Sequence, residues 1–403
     1  MKKGLRNAVI SILIIALAIT GIVILVKHMH SGENNHSMLD GTQEDQREPG
    51  KGIPAPGGNP STGENSEENG MPDENGLSEG DILPGNQNDE KTADELQIDL
   101  EKIKPNEAGK IMVVMFHNFV ESFEPTKYDD GQYTITFKAF EELLHTLYEK
   151  GYRLISFKDF IDNNINVPAG CIPMVFTFDD GTRGQFSLVE EDGVLKAERK
   201  SAVGIMEEFC SKYPDFGLKG TFFVNMGTSV FSGGSLRQRL QYLIDKGFEI
   251  GNHTFNHVNL LNVKSSEEIQ YQLGANQKKI YELGLNYKMF AFSLPYGNPA
   301  KEFREYLIKG KYEDVEYENL AIVEVGWNPA PSPADKDFNP YSIPRVRAPG
   351  INPERFDLNW WLENLSREEQ YISDGNPDTI TVPESKAGSI DTGKIQNKKL
   401  IVY

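Results

Sequence analysis

The sequence predicts an α/β protein whose parallel strands close into a barrel. Short apolar runs alternate with stretches of helical periodicity seven or eight times after residue 110, a pattern typical of a parallel sheet covered by helices. That number of strands favours a closed barrel over an open sheet. Polar residues follow several of the apolar runs, at the expected carboxyl ends of the strands, where barrels carry their active sites. We therefore predict a (β/α) barrel of seven to eight strands with one functional face.

The first thirty residues are predicted to be a membrane anchor. Residues 8–26 contain no charged side chain, and as a helix they would span about 28 Å, close to the hydrocarbon core of a bilayer. Basic residues precede this run, which predicts a cytoplasmic N-terminus. An Ala-Leu-Ala pattern at residues 16–18 could be a cleavage site, but it lies inside the apolar run rather than after it, so we predict an uncleaved anchor over residues 1–30, with a cleaved signal peptide as the alternative. Either interpretation places the rest of the chain outside the cytoplasm, at the cell membrane or secreted.

Residues 31–108 form a predicted acidic linker. Between residues 31 and 100 there are 17 Asp and Glu against 3 Lys and Arg, which accounts for most of the net charge of −19. The first aromatic residue of the chain is Phe116, so the linker cannot build an ordinary core and is expected to be disordered. No basic patch indicates a nucleic acid partner. We expect Cys171 and Cys210 to be reduced and buried, because two cysteines do not make a disulfide framework.

The elements of the barrel are predicted over residues 109–365. Strands are expected at 111–117, 152–156, 172–179, 220–225, 248–251, 289–292, 320–325 and 343–346, and helices at 137–148, 202–213, 236–246, 265–283 and 303–309. Ser265 and Glu268 form a predicted capping box at the start of one helix. Residues 185–200 are predicted to be a loop or flap. A C-terminal extension over residues 366–403 could add two strands, at 379–382 and 400–403.

Chemically active side chains fall at the predicted strand ends, namely His117, Asp179, Asp180, Asn225 and His253. Neighbours on a strand point to opposite faces, so the two adjacent aspartates cannot share one role. Taken alone, this pair is ordinarily a solvated Asp-Asp-Gly turn. His253 and His257 would bring two imidazoles together if their loop turned helically. With one aspartate they would supply three ligands and leave a position for water, as in catalytic zinc sites; solvated loop histidines are the alternative.

These residues lie in motifs that resemble those of the polysaccharide deacetylase family, carbohydrate esterase family four. The first motif, Thr-Phe-Asp-Asp-Gly, is intact at residues 177–181, and the second, His-[Ser/Thr]-x-x-His, is intact at residues 253–257. The third survives in part as Ser-Leu-Pro-Tyr-Gly at residues 293–297. The resemblance covers roughly residues 110–364, and it implies a distorted (β/α) barrel.

The resemblance also implies a divalent metal held by Asp180, His253 and His257. Zinc is the first expectation, and cobalt, nickel or manganese suit the same ligands. Asp179 would be the base that activates water for attack on the acetyl group.

Substrate contacts are implied for four further residues. The backbone N–H of Tyr296 would stabilise the tetrahedral oxyanion, with Pro295 and Gly297 beside it at the substrate. Trp327 would form a wall of the acetyl pocket, and plain core packing is the alternative for this tryptophan.

Three departures from the family pattern affect the base and the proton donor. Ser293 replaces the arginine of the third motif, Gly326 replaces the aspartate of the fourth, and the histidine of the fifth motif, the usual general acid, is absent. Arg345 and Arg347 stand in the last region, on one face of a predicted strand. They could replace the lost arginine, but we favour a solvated edge.

Elimination among the seven histidines leaves His117 as the candidate proton donor. Three histidines lie near the membrane or in the linker, two are assigned to the metal, and His145 is expected to be solvated on the flank of its helix. A structural hydrogen bond to a loop is the ordinary alternative for His117.

The sequence therefore predicts a metal-dependent hydrolase that removes acetyl groups from an N-acetylated cell-wall or extracellular polysaccharide. An O-acetylated glycan such as xylan would suit the same residues. The alternatives are a catalytically silent glycan-binding protein of the same fold and a metal-dependent amidase that acts on a small substrate.

Overall fold

The computed structural model describes residues 100–127, 130–352, 354–395 and 397–403. The predicted anchor and nearly all of the predicted linker lie outside these residues. Of the helices that the structure describes, none combines the length and the apolar character needed to cross a bilayer.

Sixteen strands and eight complete α-helices lie within the described residues. The strands are β1 Met112–Phe116, β2 Asn118–Val120, β3 Thr134–Thr136, β4 Tyr152–Leu154, β5 Ile172–Asp180, β6 Leu188–Glu191, β7 Val194–Ala197, β8 Thr221–Val224, β9 Glu249–Asn252, β10 Ala291–Ser293, β11 Lys309–Tyr312, β12 Val315–Glu318, β13 Ala321–Val323, β14 Val346–Arg347, β15 Thr379–Val382 and β16 Lys399–Val402. The helices are α1 Phe137–Glu149, α2 Phe157–Ile161, α3 Ala202–Lys212, α4 Leu236–Asp245, α5 Ser266–Glu282, α6 Glu305–Ile308, α7 Leu358–Asn364 and α8 Glu384–Ala387.

One parallel sheet of eight strands is organised around β5, the longest strand. Its order is β13–β10–β9–β8–β5–β1–β14, and β4 pairs with the first residues of β5. The sheet curls until its two ends meet, because Ile343 bridges to Val323 of β13 while Val346 pairs with Val114 of β1. The arrangement fits the predicted distorted (β/α) barrel, with the two-residue β14 as its short closing strand.

Alternation along the strands separates two apolar layers. In β1, Val113 faces a cluster that includes Val175 and Phe223, whereas Val114 and Phe116 face the layer beneath the helices. Strand residues point alternately to opposite sides, so a near-continuous apolar run is needed where both faces are buried. All residues of β5 except Asp180 are buried, as the apolar run at 172–178 predicts.

The covering helices begin at side-chain caps that are visible in the sequence. Thr136, Ser201 and Ser265 each accept a hydrogen bond from the backbone N–H three residues later, which satisfies a donor that the first helical turn leaves unpaired. Of the capping box predicted at α5, the Ser265 half is confirmed, with Glu268 N–H as the donor; both bonds of a capping box occur instead at Ser235 and Gln238, the start of α4. On α1, His145 is exposed as expected.

Three expectations need correction. Residues 185–200 contain the antiparallel hairpin β6–β7 rather than only a loop. The last residues of the predicted linker are structured, since residues 100–103 are helical and Glu107 is buried. Cys171 and Cys210 are free, but both are half-buried rather than buried.

The C-terminal extension packs against the amino end of β1. Ile372 bridges to Asn106 and Gln370 bridges to Lys110, just ahead of that strand. The two predicted strands exist as β15 and β16, which pair in parallel with each other in a sheet of their own.

Candidate active site

An open cavity of about 660 Å³ lies at the carboxyl ends of the barrel strands. The predicted site residues His117, Asp179, Asp180, His253, His257 and Tyr296 all line it, together with Asn118, Lys127, Asp130, Gln132, Tyr133, Leu294 and Val325. Pro295 and Gly297 flank Tyr296 in a short turn after β10. The predicted convergence of side chains from several strand ends is therefore present.

Asp180, His253 and His257 form a group suited to a metal ion. Asp180 Oδ1 lies 3.4 Å from His253 Nε2 and 3.3 Å from His257 Nε2, and the three potential ligand atoms all lie within 4.8 Å of one another. Asp180 Oδ1 is buried and has no hydrogen-bond partner. A buried oxygen without a donor is costly, so a cation among these atoms fits the residues present.

The hydrogen bond on the other nitrogen of His253 fixes its tautomer. His253 Nδ1 lies 2.8 Å from the carbonyl oxygen of Ser293, which can only accept, so Nδ1 carries the proton of a neutral ring. The lone pair is then on Nε2, the atom that faces Asp180. Metal-ligating histidines usually have such a partner.

Unusual backbone angles bring the two histidines together. Thr254 and His257 have φ of +63° and +53°, and Asp180 has φ of +77°, a left-handed region that side chains other than glycine seldom adopt. The loop therefore does not form the helical turn that the spacing of the two histidines suggested. Their imidazole centroids are nevertheless 4.9 Å apart. Asn225 holds this loop by donating to the carbonyl oxygens of His253 and Thr254. Such strain is commonly found at functional sites.

Asp179 is held by an arginine from the far end of the domain. Arg345 Nη1 donates to Asp179 Oδ1 at 2.8 Å and Arg345 Nη2 donates to Oδ2 at 2.7 Å, while the Ser293 hydroxyl donates to Oδ2 at 3.1 Å. Burial alone would raise the pKa of Asp179, but Arg345 and the nearby histidines lower that pKa well below its ordinary value. Asp179 is therefore ionised at neutral pH.

The two arginines after β13 are buried, contrary to expectation. Arg345 is fully buried and Arg347 is 6% exposed, so the favoured interpretation as a solvated edge is wrong. Arg345 occupies the place against Asp179 that the third-motif arginine was expected to fill, and Ser293 supports it by accepting from Arg345 Nη2. Arg347 instead pairs with Glu354 and with Gln132 of the cavity wall.

His117 lies near Asp179 Oδ2, the oxygen that Arg345 Nη2 also contacts. Its Nε2 is 4.0 Å from Asp179 Oδ2, and its side chain is 18% exposed. Tyr133 contacts the imidazole edge-on, with ring centroids 4.9 Å apart. Burial lowers the pKa of His117, although the carboxylates of Asp179 and Asp180 oppose that shift. The residue found by elimination is thus next to the candidate metal site.

The region of the fourth motif leaves no room for the family's aspartate. A Cβ atom on Gly326 would lie 1.5 Å from the backbone oxygen of Arg345, so a side chain here would displace the backbone just ahead of β14. Trp327 is 55% exposed, which excludes core packing, and it is not among the residues that line the cavity. Leu294 and Val325 are the apolar residues that line the cavity in this region.

The sequence model of the polysaccharide deacetylase family matches residues 166–315. The match confirms the resemblance to this family over those residues. It includes both intact motifs and the turn around Tyr296, and it ends before Arg345. His117 lies ahead of the matched residues.

Solved structures of deacetylases are similar to this chain. A Streptococcus pyogenes deacetylase in complex with acetate is 16% identical, covering 64% of this chain and 98% of that one, with a TM-score of 0.46. A Bacillus cereus polysaccharide deacetylase is 15% identical, with coverage of 64% and 69% and a TM-score of 0.46. IcaB of Ammonifex degensii is 16% identical, with coverage of 60% and 92% and a TM-score of 0.37. No curated protein matches the chain.

Proposed function

We propose that this protein is a metal-dependent hydrolase that removes acetyl groups from an N-acetylated polysaccharide. One observation carries the proposal: Asp180, His253 and His257 converge in an open cavity beside the ionised Asp179. Both aspartates and both histidines lie within the residues that match the deacetylase family. Three ligands with space beside them are typical of catalytic rather than structural metal sites.

Asp180, His253 and His257 would hold the ion, most readily zinc, with cobalt, nickel or manganese also compatible. A divalent ion bound there would lower the pKa of a water molecule and polarise the acetyl carbonyl. Asp179 is not part of this ligand group, and both of its oxygens instead accept hydrogen bonds from Arg345.

Proton transfer is assigned to Asp179 and His117. Asp179 accepts the proton of the attacking water, and Arg345 and Ser293 keep its carboxylate ionised and oriented for that step. His117 donates a proton to the nitrogen of the leaving amine as the C–N bond breaks. Because His117 Nε2 is 4.0 Å from Asp179 Oδ2, a proton taken up at Asp179 can reach His117 through a small shift of either group.

The oxyanion and the acetyl group are assigned to the turn after β10. Tyr296 has φ of +60° between Pro295 and Gly297, and we assign its backbone N–H to the developing oxyanion. Leu294 and Val325 line the cavity nearby and would contact the acetyl methyl group.

We further propose that the enzyme acts outside the cytoplasm, tethered by the apolar residues 8–26 and the acidic linker. An acetylated cell-wall or extracellular glycan would be within reach of such a tether. Finding the protein free in the medium with a new N-terminus near residue 19 would instead support signal cleavage.

Acetate release from a panel of acetylated glycans, with and without added metal, tests the proposed function. The panel contains N-acetylglucosamine oligomers and O-acetylated xylan. We expect metal-dependent release from at least one N-acetylated polymer. Binding without release would indicate the silent glycan-binding protein, and indifference to every sugar would indicate a small-molecule amidase; either result would overturn the proposal.

A further inference from the structure

Three asparagine side chains are buried near the loop that carries His253 and His257. They are Asn225, which follows β8, Asn252, which ends β9, and Asn276, which lies on α5. We call them the asparagine cluster. None of the three lines the cavity, although Asn225 was predicted to be among the chemically active side chains at the strand ends. An effect of the cluster on the site therefore has to pass through the loop.

Asn225 and Asn252 bind the backbone of this loop at Thr254. Asn225 Nδ2 donates to the carbonyl oxygens of His253 and Thr254, and Asn252 Oδ1 accepts from Thr254 N–H at 3.0 Å. Both backbone polar groups of Thr254 are thus bonded to the cluster, at the residue whose φ is +63°. A conformation of this kind costs free energy and persists only where its surroundings hold it. The two asparagines therefore stabilise the turn between the two histidines.

Asn276 connects the other two asparagines. Its Nδ2 donates to Asn252 Oδ1 at 2.8 Å and to the carbonyl oxygen of Val224 at 2.9 Å, and its Oδ1 accepts from Met226 N–H at 2.9 Å. Val224 and Met226 are the chain neighbours of Asn225, so Asn276 fixes the position of both supports of the loop. A buried polar group whose partners are all present makes a rigid arrangement.

We propose that Asn276 is a positioning residue, which holds His253 and His257 through Asn252 and Asn225 in the arrangement that binds the metal ion. The loop keeps this arrangement before the ion arrives, so that binding does not have to order it. Pre-organisation of this kind raises affinity, and residues that support metal ligands commonly alter metal affinity by about 10- to 100-fold. The proposal rests on the proposed function, which supplies the metal and its ligands.

The zinc affinity of Asn276→Asp tests this role. The change keeps the size of the side chain and the acceptor for Met226 N–H, but a carboxyl group cannot make both donations, to Asn252 and to Val224. We expect zinc to bind about tenfold more weakly, measured on metal-free protein by competition with a chelating dye. An added negative charge would by itself strengthen the binding of a cation, so weaker binding reports the lost positioning.

Gln277→Glu is the matched control, on the neighbouring residue of α5. Gln277 is as completely buried as Asn276, and its side chain accepts from Met289 N–H and donates to the carbonyl oxygen of Tyr287, ahead of β10. The change converts a buried amide to a carboxyl group in the same way, but outside the asparagine cluster. It should lower the stability measured by urea unfolding and leave zinc affinity at the wild-type value.

Asn225→Asp tests the second support of the loop. It removes the donors to the carbonyl oxygens of His253 and Thr254, so it should also weaken zinc binding, and it decides the question if Asn276→Asp does not fold. Wild-type zinc affinity in these variants, or an equal loss of affinity in Gln277→Glu, would overturn the positioning role.

Acetate release measured on the same samples separates the positioning role from the proposed function. Weaker zinc binding by Asn276→Asp, together with no acetate release by the wild type, would support the positioning role and refute the hydrolase. Acetate release by the wild type, together with unchanged zinc affinity in Asn276→Asp, would refute the positioning role alone. A wild-type protein that binds no zinc would overturn the positioning role, whatever acetate it releases.

Discussion

Both carboxylate oxygens of Asp179 accept hydrogen bonds from Arg345. Because the residue is buried, bulk water could not replace these bonds if they were lost. A buried carboxylate without a partner would become neutral, so the guanidinium of Arg345 decides its charge. The neighbouring Asp180 has the opposite arrangement, a buried oxygen without a donor. Two adjacent aspartates are thereby given different roles, as the alternation of strand side chains predicts.

The first prediction separates these two roles. Asp179→Asn should lower turnover by about 10² or more, the usual effect of a positioned base, while the metal content stays near that of the wild type. Metal analysis alongside acetate release checks it. Loss of the metal from Asp179→Asn would show that our division between base and ligand is wrong.

The second prediction concerns the stability of the ion pair. Arg345→Met removes the main partner of the buried Asp179, which must then stay charged without it or take up a proton; either costs free energy, so the free energy of unfolding should fall by about 3–5 kcal/mol. Adding Asp179→Asn to Arg345→Met should recover part of that loss, because the double variant no longer has a buried carboxylate without its arginine partner. Urea unfolding measures both values.

Arg347→Met is the matched control, since its partner Glu354 is partly exposed and can be solvated when unpaired. Its loss of stability should be clearly smaller than that of Arg345→Met. Equal losses would argue against a special role for Arg345.

The sequence could predict His117 but not Arg345, for a physical reason. His117 ends a strongly apolar strand, so strand register alone places it at the rim. Arg345 reaches Asp179 across 166 residues of chain, and an arginine side chain ordinarily remains solvated. Nothing local distinguishes a buried arginine from an exposed one; the clue was the missing arginine at Ser293, which implied that another cation had to balance Asp179.

At the scale of elements, β14 closes the barrel and positions Arg345. It has only two residues, which pair with Val114 and Met115 of β1, and just ahead of it Ile343 bridges to Val323 of β13. The sequence predicted the long β5 from its apolar run, whereas the strand it predicted at residues 343–346 shares only Val346 with the observed β14. The sequence did not predict the β6–β7 hairpin. The many polar side chains at residues 189–196 hide the alternation of apolar and polar residues that marks a strand, and the two strands of the hairpin pair with each other outside the main sheet.

The third prediction follows from the contact between Gly326 and this closing strand. Gly326→Ala places a Cβ against the Arg345 backbone and should cost about 1–3 kcal/mol, as overpacking does, with a loss of acetate release as Arg345 moves from Asp179. Thermal unfolding and activity measure the two effects. Gly388→Ala is the control, because no atom lies within 4 Å of its Cβ position. Wild-type stability and activity in Gly326→Ala would contradict this account of β14.

At the scale of the whole molecule, the C-terminal extension covers the amino end of the barrel and buries an acid there. The Glu107 carboxylate accepts hydrogen bonds from the N–H groups of Thr381 and Asp374. Burial, with Asp374 nearby, raises the pKa of Glu107 from 4.5 to about 8. The sequence could not predict this contact, because Glu107 was assigned to the linker and its partners lie more than 260 residues away.

The fourth prediction is a pH dependence of stability that arises from Glu107. The folded chain binds a proton at Glu107 more tightly than the unfolded chain, so the contribution of this residue is fully present below pH 4.5 and is lost as the pH rises through about 8. Glu107→Gln should therefore gain stability relative to the wild type as the pH is raised from 5 to 8. Denaturant unfolding across this range measures the difference between the two proteins, and a difference that does not change with pH would refute the assignment.

The fifth prediction tests the central claim, that one metal ion at Asp180, His253 and His257 supports hydrolysis of an acetylated glycan. Metal-free protein is titrated with zinc, and separately with cobalt, nickel and manganese, while acetate release from an N-acetylglucosamine hexamer and bound metal per chain are recorded. With at least one metal, release should rise from near zero and level off at about one ion per chain, and His257→Ala should neither bind that ion nor release acetate. Undiminished release by the metal-free protein, or no release at any metal content, would contradict the account.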